Sequence, residues 1–424
     1  MDFSKKDGSV SYDPASEPNG SCMSASYDPS AEQKHEKVKE KTKKELAPEK
    51  ERKTQRGFSF FKRNKVQRCK QTDGEIIYVS SKKETIPYGV KEIPLTMFKD
   101  NSNIVSVTLP SSITEIKDEM FKNCVSLKEV VIPDSVTSIG VSAFFGCANL
   151  KTVRFSKRLT SIGVLAFAFC RNLQSIAVPR GVKTIGGSAF FDCVNLKKAK
   201  LSKGVAEIGR DAFKGCKNLK SITVPGSVAS IENVFALCSK LQRVKLGKGV
   251  ITIGVGAFAR LEKLKSVSIP SSVRYIKNGA FEFSLKLQKM KLPKGLMTIG
   301  ERAFYRCMDL KDIVVPKSVT YIGVEAFSEC WALADENGMV IVRDVLYQYV
   351  KDNAFAVIPD RVTVIHSHAF AGRTKLISVT VPNSVQTIGA EAFRGCANLE
   401  ITVPKSVKTV GNNAFLGCKK VNRS

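Results

Sequence analysis

Between Leu150 and Cys170 the chain reads LKTVRFSKRLTSIGVLAFAFC, and most of the remaining sequence is a variation on this stretch. "LKTVRF" alternates apolar and polar positions around a β-branched centre, which is strand chemistry. "LTSIG" is a second short extended piece, closed by a glycine suited to a turn with φ above zero. "LAFAFC" is then long enough for about one helical turn.

Working outward, the phenylalanine of the AFxxC segment recurs at Phe98, Phe121, Phe144, Phe167, Phe190, Phe213, Phe235, Phe258, Phe281, Phe304, Phe327, Phe370, Phe393 and Phe415. Ten of the 13 intervals are 23 residues, two are 22 and one is 43, so a single unit has been copied along most of the chain. A fixed period of this length means a solenoid. No single unit can bury its apolar face alone, so the periodic Phe, Ile, Val and Leu are expected to form one internal column shared by stacked coils. Prolines such as Pro179 and Pro225 fall where the first strand of a unit should stop, a place where a missing N–H breaks no ladder.

The unit CxNLKxVxIPxSVTxIGxxAFxxC resembles the BspA-like subclass of leucine-rich repeat, also called the Treponema-type repeat, over about residues 90–420. That resemblance implies a right-handed solenoid with a parallel sheet along one face, and binding or adhesion rather than catalysis by the repeats. The expected fold is therefore a leucine-rich repeat solenoid, an α/β repeat rich in β, with about 14 coils of 23 residues at 98–424.

The long interval between Phe327 and Phe370 holds about 20 extra residues. "ENG", the alternating "MVIVRDVLYQYV" and "KDNA" read as strand, turn, strand, predicting a β-hairpin that projects near residues 336–357. An insertion of this kind is also implied by the family resemblance. Trp331, the single tryptophan, is read as a packing plug at its base.

Residues 1–70 differ in composition. The first 51 are rich in Lys, Glu, Ser, Asp and Pro, too poor in apolar surface to offset chain entropy, and a disordered tail is expected. Residues 71–97 are read as a lead-in cap. Residues 52–70 carry eight basic and no acidic residues around an aromatic core: Arg56, Phe58, Phe60, Phe61, Lys62 and Arg63 in "QRGFSFFKRNKVQR". Cations interleaved with rings favour an anionic membrane surface, and the "FSFFKR" core is similar to the basic effector region of MARCKS-type proteins. Ser59, three residues after Arg56, is a candidate phosphosite whose charge would weaken membrane attraction. No secretory signal or apolar run long enough to span a bilayer is visible. A cytoplasmic or membrane-peripheral location follows as the expectation, with the cell surface left open by a non-standard route.

Ten of the 12 cysteines sit three residues after a repeat phenylalanine, so they are read as a buried ladder of small apolar side chains. Leu261, Ser284 and Arg373 occupy the same place in other units, which a metal site or disulfide set would tolerate poorly. The pair His366 and His368 lacks an evident third ligand, and the glycines follow the repeat rather than a phosphate-cradling loop. No catalytic, cofactor or metal residue and no small-molecule substrate is expected.

The chain holds 67 Lys+Arg against 39 Asp+Glu, a formal +28, and will accumulate near polyanions by field alone. Residues 1–70 contribute 17 of the basic and 11 of the acidic residues, so the repeats carry most of the excess. There it is patterned. The two outward positions of the first strand read Thr152/Arg154, Lys198/Lys200, Arg243/Lys245 and Lys289/Lys291 in alternate units. The units between and beside them read Glu129/Val131, Ser175/Ala177, Ser221/Thr223, Ser266/Ser268 and Asp312/Val314. Duplication of a two-unit ancestor explains the alternation on its own. If the charges are also used, parallel strands about 4.8 Å apart set basic rungs roughly 10 Å apart along one face. The functional expectation is a non-catalytic repeat scaffold that binds a protein partner or adheres through its sheet face; the alternative is a polyanion or anionic-membrane binder using these rungs and the basic-aromatic segment.

Overall fold

The computed structural model describes residues 67–70, 76–79, 82–94 and 97–424. A short antiparallel pair, Gln67–Lys70 with Ile76–Val79, precedes the repeats. From Lys83 onward the chain winds through coils of three walls. The first wall is a set of parallel strands of two to four residues, Glu129–Val131 pairing in register with Thr152–Arg154 one coil on. Two-residue strands such as Ser161–Ile162 and Thr184–Ile185 build the second wall in the same way. The AFxxC segments form the third.

On that third wall the expected helical turn does not form. Leu165 and Phe169, two residues either side of Phe167, have φ of 56° and 59°. Such values break an α-helix and cost a non-glycine residue roughly 1–2 kcal/mol, a strain held in place by the neighbouring coils. Alternate N–H groups now point along the axis, Leu165 to the carbonyl of Gly187 (3.0 Å), Phe167 to Ala189 (2.7 Å) and Phe169 to Phe191 (2.7 Å). The turn wall is thus a third hydrogen-bonded ladder.

The periodic glycines also have a different cause from the one expected. Gly163 is not among the left-handed residues; a Cβ on it would lie 2.6 Å from the carbonyl carbon of Gly140 in the coil before. It is small because two backbones touch there.

Inside the walls the rings stack. Phe98 through Phe327 form an unbroken column with centroids 4.9 Å apart at Phe98–Phe121 and 6.0 Å at Phe213–Phe235. The cysteines lie beside it and do more than fill space: the Cys193 thiol donates to the carbonyl of Phe167 (3.2 Å), and Cys216 to that of Phe190 (3.3 Å). Ser284 makes the same bond to Phe258, and Arg373 makes it with Nε and an Nη to Tyr349. The shared property of this position is a donor, which Leu261 alone among the substitutes lacks.

The hairpin is present, but it is set into the wall instead of projecting. Its strands are Met339–Val342 and Val345–Tyr349, and the second continues the two-residue ladder by pairing with Val364–Ile365. Tyr349 is buried, stacks on Phe370 at 5.1 Å, and donates its N–H to Ala369 as the repeat phenylalanines do to their own partners. The 43-residue interval is therefore two shortened coils, with Tyr349 in the phenylalanine place. Trp331, 47% exposed, is not a plug. The core divides here: Val340 and Tyr347 belong to the cluster before the hairpin, Met339 and Tyr349 to the one after it.

Candidate anion-binding face

The alternating basic positions all fall on the first wall, where period-2 alternation turns the central residue inward and its two neighbours out. In Arg243–Leu246 the centre Val244 is buried while Arg243 and Lys245 are exposed. Lys198 and Lys200 are exposed on either side of the half-buried Ala199, and Lys289 precedes the buried Met290, with Lys291 exposed just after it. Arg154 ends its strand exposed. In-register pairing sets Ser221 and Thr223 directly beside Arg243 and Lys245, and Ser266 and Ser268 on their other side. Long cations thus alternate with short hydroxyls. Glu129 and Asp312 close the window at its two ends.

None of Arg154, Lys198, Lys200, Arg243, Lys245, Lys289 and Lys291 forms an ion pair with a carboxylate among the described residues. Asp312 stands in register beside Lys289 at the end of the window.

The ladder of this wall is not continuous. Hydrogen bonding stops between Lys198–Lys200 and Ser221–Val224, and again between Ser266–Ser268 and Lys289–Met290. Over the first break lies a depression of about 500 Å³ whose rim carries Lys198, Lys200, Arg243 and Lys245 and whose floor carries Ser221 and Thr223. A neighbouring depression of about 450 Å³ is lined by Lys197, Lys198, Asn218, Lys220 and Lys240. Sequence reading missed Lys197, Lys220 and Lys240 because they precede the strand, outside the two outward positions it considered. The "LK" pair before the strand was the available signal for Lys197 and Lys220; Lys240 stands one residue before the corresponding leucine, where the earlier coils carry Asn195 and Asn218.

Other candidates fare differently. Arg56, Phe58, Ser59, Phe60, Phe61, Lys62 and Arg63 lie outside the described residues. His366 is buried against Tyr347 (ring centroids 5.0 Å apart) and accepts the Glu325 N–H at Nε2, while His368 lies 3.2 Å from Glu391. The two imidazoles thus have separate structural partners, and the described residues hold no cluster of three metal-ligating side chains. Burial pushes the thiols of Cys238 and Cys330 up to about 12, which leaves these two protonated.

A family model described as the BspA type leucine-rich repeat region, in six copies, matches residues 78–197, 114–238, 232–356 and 340–424. The chain belongs to the BspA-type leucine-rich repeat family. Among solved structures, this BspA-type chain is similar to a leucine-rich repeat protein of Bacteroides ovatus at 23% identity and a TM-score of 0.58, over 85% of this chain and 92% of that one. A leucine-rich cell surface protein of Faecalibacterium prausnitzii is 26% identical over 86% of this chain and 94% of its own, with a TM-score of 0.44. A Treponema pallidum leucine-rich repeat protein is 28% identical over 47% of this chain and 88% of its own, with a TM-score of 0.38. No curated protein matches. The first of these likenesses supports the fold. No helix among the described residues is long and apolar enough to cross a membrane.

Proposed function

We propose that this BspA-type protein is a non-catalytic binding scaffold whose strand face engages an anionic macromolecule. One observation carries the reading: the basic rungs stand exposed and unpaired in register over small hydroxyl residues, bounded by Glu129 and Asp312. The stacked coils hold the cations at repeated places along one face, so several contacts form for one loss of ligand freedom. Each contact also releases counterions, which makes the affinity salt-dependent.

The test replaces Lys198, Lys200, Arg243, Lys245, Lys289 and Lys291 by Ser, the residue that stands at such positions in neighbouring coils as Ser175, Ser221, Ser266 and Ser268. A control removes six cations from residues 52–65. The strand-face variant should lose most of its affinity for a long sulfated glycan, and the control little. Equal losses would mean that net charge alone drives binding.

A protein ligand is favoured by a different observation. Beyond the hairpin the same outward positions hold Phe355 and Val357, 69% and 65% exposed, and such apolar exposure on a strand face suits a protein partner. Phe355→Ser with Val357→Ser should weaken a protein ligand while leaving glycan affinity unchanged.

A further inference from the structure

The two depressions at the first break adjoin, sharing Lys197 and Lys198. One sits over Ser221 and Thr223; the other sits over Asn218 and Lys220, about three residues earlier on the same coil. The second therefore lies beside the start of the strand, across the face instead of along the axis. No carboxylate lines either depression. Lys240 donates only to the neutral Asn218 amide oxygen (2.7 Å), and Lys197 and Lys220 are exposed.

The chemistry of the lining narrows the ligand. No aromatic side chain faces either depression, so there is no platform on which bases could stack, the feature that single-stranded nucleic acid sites use. The cations are lysines apart from Arg243, point charges suited to tetrahedral anions from several directions, not planar forks that demand one geometry. The lining offers the hydroxyls of Ser221 and Thr223 as partners for sugar hydroxyls, while the Asn218 amide is engaged by Lys240 and Asn195.

Resting on the reading of the strand face as an anion-binding surface, we infer that its principal seat is this transverse double depression. Its ligand is a saccharide bearing sulfate or phosphate esters, and Lys197, Lys220 and Lys240 bind it although they lie outside the axial row of rungs.

Two triple variants with equal charge loss separate the possibilities: Lys197, Lys220 and Lys240 to Ser, against Arg154, Lys289 and Lys291 to Ser. The full chain is titrated with a sulfated octasaccharide, a phosphorylated octasaccharide and a single-stranded octanucleotide of similar charge. The transverse triple should weaken saccharide binding about tenfold, equivalent to 1.4 kcal/mol, and the axial triple much less. A stronger response to either ester names the source and supports the seat. Equal effects of the two triples would overturn it and leave an axial strip; that strip fails separately if the six-serine variant behaves like its control. An octanucleotide that binds as tightly as the saccharides would overturn the ligand class. Ser221→Glu guards against loss of fold, because Glu129 occupies the same strand position in another coil. It should abolish saccharide binding without changing the circular dichroism spectrum.

Discussion

The turn wall and the strand face belong to the same coils, yet they treat charge in opposite ways. On the turn wall cations meet carboxylates, mostly from a neighbouring coil. Glu119 lies between Lys122 and Lys99, whose hydrogen bonds pull its carboxyl down to about 2. Arg302 reaches both Glu282 and Glu325, and Arg306 pairs with Glu329, which also accepts from the Tyr305 hydroxyl. Across the strand-face window no such pair forms. Charges on the turn wall thus find partners within the stack, and the proposed binding surface is the one whose cations have none there. Exposed pairs add little stability each, so the contrast concerns what each wall faces, not how firmly it is built.

The largest effect that would sharpen this contrast comes from the shared core. Phe190→Ala removes a fully buried ring from the stack and should cost on the order of 3–5 kcal/mol, read as a lower denaturation midpoint. Lys198→Ser with Lys200→Ser should stay within roughly 0.5 kcal/mol of the parent; a large drop would mean that the strand-face cations do serve the fold. Next in size is the donor ladder. Cys193→Ala should cost about 1 kcal/mol by removing the bond to Phe167. Cys193→Ser should be milder, since Ser284 fills the same place, and equal costs for both would deny the donor role.

Smallest is an acid effect confined to the interrupted coils. Burial lowers the His366 pKa below its ordinary 6.5, so the folded state binds fewer protons than the unfolded one. Stability should then be full above that value and fall as pH drops below it. His366→Gln should flatten this part of the profile; an unchanged slope would assign it to other groups.

Much of this was legible in the sequence, because the period fixes which residues repeat and a stacked coil has one way to bury them. The phenylalanine column, the two strand ladders and the outward rungs follow from spacing alone. What escaped depended on contacts between coils. Gly163 reads as a turn residue until the backbone of Gly140 is seen against it. The turn wall reads as helix because AFxxC has helical length, while inter-coil bonds from Leu165, Phe167 and Phe169 hold an alternating backbone instead. Tyr349 was hidden by its identity: 22 residues after Phe327 and 21 before Phe370, it kept the beat with a hydroxyl added. The depressions at the break in the ladder have no sequence signature, since loss of pairing between Lys198–Lys200 and Ser221–Val224 is a property of the stack.

The central claim is that the position of the strand-face cations matters, and moving them at constant charge tests it most directly. A quadruple variant, Arg243→Ser, Lys245→Ser, Ser175→Arg and Ala177→Lys, moves one basic rung out of the depression to the far side of Lys198 and Lys200 and keeps wall and net charge. Affinity for the sulfated octasaccharide at fixed salt should fall about tenfold, with thermal unfolding unchanged. Undiminished affinity would contradict the account and leave only the overall charge of the chain as the cause of binding.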